Sequence, residues 1–121
     1  MTAFFQDWTM VAGDSRTLRF TVTGDGGAAA DLTGAQSVRW GCVRRQANGS
    51  FVPTPALEKT LGEGVTMIDP AGGIIDVTLS PSDTAALPAG RYYHQLELTS
   101  AAGDVATLAS GMLVIAPDLL T

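Results

Sequence analysis

The chain has 121 residues, of which 45% are hydrophobic and 16% charged, enough for one domain over 1–121 with a single core and too apolar for a disordered tail. Its net charge of −5 argues against nucleic-acid backbones and anionic membranes, both of which attract an excess of Lys and Arg. It contains no apolar run of about 18 residues that could cross a membrane as a helix. Its start, Met1-Thr2-Ala3-Phe4-Phe5, lacks the basic and apolar regions of a signal peptide, and the lone Cys42 leaves no internal disulfide, so folding in a reducing cytosol is expected.

Short alternating segments separated by turn signals follow one another along the whole chain, the pattern of an all-β protein. A ragged first strand is expected over 4–11, containing Phe5, Trp8 and Val11, and Ala12-Gly13-Asp14 turns it. From Ser15 to Thr23 Leu18, Phe20 and Val22 share one face and Arg19 and Thr21 the other, because strand side chains alternate. "GDGGAAAD" reads as a loop and "LTGA" as a tight turn or bulge. The strand over 36–46 puts Val38, Trp40 and Cys42 on one face, and Asn48-Gly49 predicts a hairpin with a type I′ turn. Pro53 and Pro55 remove ladder donors and mark an edge strand or its approach.

"VTMIDP" is a short strand, "AGG" a turn, and "IIDVTLS" a strand with Ile75, Val77 and Leu79 on one face. Ser80 is placed to cap a helical turn over 81–87 that begins at Pro81, Leu87 drops into the core, and Pro88-Ala89-Gly90 reverses the chain. In the strand from Arg91 to Thr99, Tyr92, His94, Leu96 and Leu98 share one face, and Tyr93, Gln95 and Glu97 the other. The turn "SAAGD" precedes a last strand over 105–116. Seven to eight antiparallel strands in a chain of this size favour a two-sheet sandwich over a barrel.

The stretch "DTAALPAGRYYHQLEL" resembles the tyrosine corner of immunoglobulin-like sandwiches, in which a buried tyrosine bonds upstream backbone. By that resemblance Tyr92 is the corner residue, Leu87 and Gly90 set it up, and Trp40 is the packing tryptophan of an earlier strand. The cysteine pair of antibody domains is absent, and His94 stands where the second cysteine would be. A narrower resemblance covers most of the chain. "AGDSRTLRFTVTGDGG", "ADLTGAQSVRWGCVRR", "DTAALPAGRYYHQLEL" and "GDVATLASGMLVI", in that order, resemble the N-terminal immunoglobulin-like domain of phage baseplate upper proteins and related small tail and virion proteins of tailed phages. The resemblance implies a virion structural protein, made in the host cytoplasm, with other virion proteins and copies of itself as partners. That family continues into a coiled coil and a connector, whereas this chain ends at Thr121, so a stand-alone module is expected.

No set of acid, base, nucleophile or ligands stands out, and neither catalysis nor a cofactor or metal is expected. His94, the only histidine, reads as a satisfied core residue rather than a ligand. Asp25 and Asp31 sit among alanines where a calcium loop needs further oxygens. Cys42 reads as a small buried side chain. Arg39, Arg44 and Arg45, with Arg16 and Arg19, either form a basic stripe for an acidic partner or simply solubilise an outer sheet face. Asn48 opens a formal glycosylation sequon that reads as the hairpin turn. Both chain ends are apolar. Phe4, Phe5 and Trp8 at one end, and Met112, Leu113, Val114, Ile115, Leu119 and Leu120 at the other, form the expected interface, either with another chain or with each other. The rival expectation is a sandwich that binds a carbohydrate or a cell surface through Tyr93 and the loop 24–31.

Overall fold

A computed structural model describes residues 4–24 and 27–120. Among the described residues, nine strands and one short helix follow in chain order: β1 (Phe4–Phe5), β2 (Trp8–Val11), β3 (Arg16–Thr21), β4 (Ser37–Arg44), β5 (Leu57–Leu61), β6 (Gly64–Asp69), β7 (Ile74–Leu79), α1 (Pro81–Ala85), β8 (Gly90–Thr99) and β9 (Val105–Ala116). The protein is an all-β sandwich.

One hydrogen-bonded path runs β1-β9-β8-β4-β5-β6-β7-β3, with β2 also on β9. The path folds over at β5–β6, where the two strands meet at only two parallel pairs, Thr60 with Gly64 and Leu61 with Val65. Gly62 and Gly64 carry the chain round this corner at φ of 88° and 100°, a region closed to most side chains. The β3–β7, β6–β7, β4–β5, β4–β8 and β8–β9 pairs are antiparallel. β1 and β2 run parallel to β9, in one register, with Phe4 opposite Ala109 and Trp8 opposite Leu113. Strand alternation alone does not reveal that pairing.

The expected first strand is thus two strands, broken at Gln6-Asp7. The break has a local cause. Any side chain at Gly111 would run into the Gln6 backbone, so glycine there lets the N-terminal segment pass close over β9. Gln6 N–H still reaches Ser110 O at 2.8 Å, and Asp7 Oδ1 accepts from Met112 N–H at 2.9 Å. Side-chain and backbone bonds together replace the missing ladder rungs.

The core follows the alternation. Leu18, Phe20 and Val22, Val38, Trp40 and Cys42, Ile75, Val77 and Leu79, and Tyr92, Leu96 and Leu98 are all buried. Ser80 caps α1 as its local sequence predicts. Its hydroxyl accepts from Asp83 N–H, and the Asp83 carboxylate accepts from Ser80 N–H, closing a capping box behind Pro81. Thr84, fully buried, fastens the helix to the β2–β3 turn by donating to Asp14 O at 2.8 Å and accepting from Gly13 N–H at 2.9 Å.

The turn at Asn48-Gly49 differs from the expected type I′. No residue other than glycine has positive φ among the described residues, so Asn48 does not enter the left-handed region. Gly49 N–H bonds Gln46 O, and Gln46 N–H bonds Ser50 O. This is a three-residue loop in which Gly49 alone (φ 88°) takes the left-handed position. Asn48 serves instead through its side chain, accepting from the Ser50 N–H and hydroxyl. The loop at 100–104 repeats the design, with Gly103 at φ 91°.

Candidate functional site

The inward face of β4 and β8 is sealed. Tyr92 is fully buried, and its hydroxyl donates to Pro88 O at 2.6 Å, the geometry of a tyrosine corner. Leu87 is buried just before the reversal, and Gly90, at φ 147°, opens β8 with the Arg44 guanidinium close against it. Trp40 packs in the centre, and its indole N–H donates to His94 Nδ1 at 3.3 Å. With Nδ1 accepting, the proton of a neutral imidazole is on Nε2, which donates to Gln6 O at 2.5 Å. Both ring nitrogens of His94 are therefore spent inside the fold, and burial holds its pKa below the ordinary histidine value. Cys42 is also buried, and desolvation pushes its thiol up to about 12, far from a reactive thiolate.

The apolar ends divide. Leu113 and Ile115 do not face a partner. They belong to the protein's own core, at 0% and 2% exposure. Trp8 is half-buried, with its ring 6.0 Å from Phe20 in an edge-on contact. Met112 and Val114 are half-buried on the outer face. Phe5 at 85%, Leu119 at 86% and Leu120 at 96% remain exposed. The side chain of Phe4 lies outside the described residues.

The arginines do not form one stripe. Arg19 pairs with Asp76 across β3–β7, its Nε and Nη2 donating to the two carboxylate oxygens at 2.8 and 2.9 Å. That pairing lowers the Asp76 pKa. Arg16 lies over the Trp8 ring, 5.7 Å from its centroid. Arg39 pairs with Glu58 at 3.2 Å, and Lys59 reaches Asp83 at 2.8 Å, lowering the pKa of that carboxylate. Arg44 and Arg45 stand apart from all of these, at the far end of β4.

On the outer face of β8, β4 and β5 the one residue without a side chain, Gly41, opens a groove of about 160 Å³. Tyr93, Val43 and Pro55 line its apolar end, and Arg39, Glu58, Gln95 and Glu97 line its polar end. Phe51 packs against Tyr93 with ring centroids 5.2 Å apart and planes tilted by 44°. Period two marks Tyr93 as outward but does not bring Phe51, from across a hairpin loop, against its ring. The loop 24–31 is not part of this groove. Its described residues pack elsewhere, where Ala30 and the Val22 carbonyl close against Gly73. Asp25 is outside the described residues, and Asp31 bonds Thr33 through both its N–H and its hydroxyl, which lowers the Asp31 pKa. No group of three or more His, Cys, Asp or Glu is gathered as metal ligands among the described residues.

No family model matches the chain, and no curated protein matches it. Among solved structures, it is similar to the crystal structure of CopC from Methylosinus trichosporium OB3b, at 15% identity and a TM-score of 0.43, over 93% of this chain and 86% of that one. Similarity at that level bears on neither site nor activity.

Proposed function

We propose that this protein is a structural component of a tailed-phage particle, an immunoglobulin-like module held by protein–protein contacts on a tail, baseplate, neck or head assembly. The observation that carries the reading is the distribution of apolar surface. The sandwich closes a full core of its own, yet Phe5, Leu119 and Leu120 stay almost wholly in water, and Met112 and Val114 extend that apolar margin along the outer side of β9. Large apolar side chains gathered at the chain's ends gain by being covered in an assembly. The ordered "GD", "DLTGA", "LPAGRYY" and "GMLVI" segments supply the phage resemblance.

The test is mass spectrometry of purified particles from the replicon that encodes the chain. The expected result is the protein at a fixed copy number, reduced when Phe5, Leu119 and Leu120 are changed to serine. Particles that form without it would overturn the reading.

A second reading, a saccharide-binding sandwich, has one specific observation in its favour: the Phe51–Tyr93 pair beside the mixed donors and acceptors of the Gly41 groove. A ring that presents apolar C–H faces and hydroxyls suits such a wall. Titration with neutral mono- and trisaccharides, followed by amide NMR, is expected to move residues 39–43 and 93–97, and Gly41→Val is expected to abolish the shifts by filling the groove. Silence across the panel removes this reading and leaves the first intact.

A further inference from the structure

Arg44, Arg45 and Arg91 converge where β4 ends and β8 begins. Together with Gln46, Ala47 and Gly90 they line a hollow of about 300 Å³. Arg44, opposite Tyr92, starts from the other face of β4 and reaches the hollow at the strand's end. The register places Arg45 and Arg91 together: Arg45 N–H bonds Arg91 O at 2.9 Å, so the two are cross-strand neighbours. Like charges in that relation destabilise a sheet unless something else compensates.

The compensation found at other cations is missing here. Arg19, Arg39 and Lys59 each have a carboxylate partner, and Arg16 rests on an indole. Among the described residues, no carboxylate lies within ion-pair distance of Arg44, Arg45 or Arg91. Arg44 is steadied only by the face of the Tyr92 ring, 6.0 Å away, and no acidic residue lines the hollow. In a chain of net charge −5 with seven Lys and Arg in all, three arginines without a carboxylate partner around one hollow form a local positive field against the overall sign.

We propose that this hollow is a docking site for an acidic segment of a neighbouring protein, with Asp or Glu carboxylates held by the three guanidinium groups. This rests on the assembly reading above and names the chemistry of one partner. The shape favours carboxylates on a peptide: planar forks donate in pairs to carboxylates, and the overall negative charge of the chain repels an extended phosphate backbone. The flanking Gln46 side chain and exposed loop backbone add neutral donors for a peptide main chain.

The probe is a fluorescein-labelled hexaglutamate peptide, followed by anisotropy on the intact protein at low ionic strength. Binding is expected, weakening steeply as salt is raised through the physiological range because the contact is exposed. Arg45→Gln/Arg91→Gln is expected to weaken it at least about tenfold, a difference of roughly 1.4 kcal/mol. That variant keeps Arg44 on the Tyr92 ring and relieves the Arg45–Arg91 repulsion, so its melting temperature should be no lower than the parent's, which separates lost binding from lost fold. No binding at low salt, binding unchanged in the double variant, or equally strong competition by inorganic phosphate at matched ionic strength would each overturn the proposal. Absence of the protein from particles bears on the assembly reading alone, since the peptide titration uses the isolated chain.

Discussion

Trp40 and Gly41 are chain neighbours, as are Tyr92 and Tyr93, yet each pair is split between two faces of one ladder. The inner face of β4 and β8 holds Trp40, Cys42, Tyr92, His94 and Leu96, all buried, with every polar tip of the indole, imidazole and phenol bonded inside the fold. The outer face holds Arg39, Gly41, Val43, Tyr93, Gln95 and Glu97 around an open groove. The same backbone thus supports a sealed interior, where a removed atom leaves a void, and a wet surface, where it leaves room for water. Of these two faces, only the outer one leaves polar and aromatic groups open to solvent.

The largest contrast is expected between Trp40 and Gly41. Trp40→Ala should cost about 3–5 kcal/mol in chemical denaturation, since a fully buried indole leaves a cavity. Gly41→Ala should stay within about 0.5 kcal/mol: the new Cβ meets Leu57 O at 3.4 Å and Glu58 Cγ at 3.5 Å, ordinary contacts. Equal losses at the two positions would mean the faces are not distinct.

Gly111→Ala should cost about 1–3 kcal/mol through overpacking, because its methyl group collides with the Gln6 backbone. Amide exchange should show the loss concentrated in β2, whose partner is β9. A uniform loss over all strands would instead place the damage in β9 itself.

Tyr92→Phe should cost about 1 kcal/mol by deleting the bond to Pro88 O. Tyr93→Phe should be neutral, as no hydrogen bond anchors that hydroxyl among the described residues.

Acid acts on the inner face first. The folded pKa of His94 lies below its unfolded value of about 6.5, because burial penalises the imidazolium. The unfolded chain therefore binds the proton more tightly, and stability is lost as pH falls from about 6.5 toward the folded pKa. Asp76 and Asp83 have pKa values lowered by Arg19 and Lys59, so their contributions disappear only below about 3.8, the unfolded carboxylate range. Urea midpoints at pH 7.5 and 5.5 should differ for the parent and converge for His94→Gln. A parent that is flat between those pH values would contradict the buried, neutral imidazole.

The smallest effect is chemical. Cys42, with its thiol at about 12, should ignore a disulfide reagent at pH 8 until urea unfolds the chain. Rapid labelling of the native protein would place the inner face in contact with solvent.

Alternation along each strand was enough, from the sequence, to select the buried faces of β3, β4, β7 and β8, because a pleated strand sends successive side chains to opposite sides whatever its neighbours are. Ser80, Pro81 and Asp83 wrote the helix cap, and Leu87, Gly90 and Tyr92 the corner, within a dozen residues of chain. Tertiary structure decided everything that depends on which strand lies beside which. It laid β1 and β2 parallel along β9, and it packed Leu113 and Ile115 into the core rather than onto an interface. It brought Phe51 onto Tyr93, Asp76 onto Arg19, and Arg91 beside Arg45. Those are register relations between distant segments, and no local period encodes them. The turn at Asn48 lies between the two cases: the dipeptide signalled a hairpin, but which residue takes the left-handed conformation depended on the loop length that the flanking strands allow.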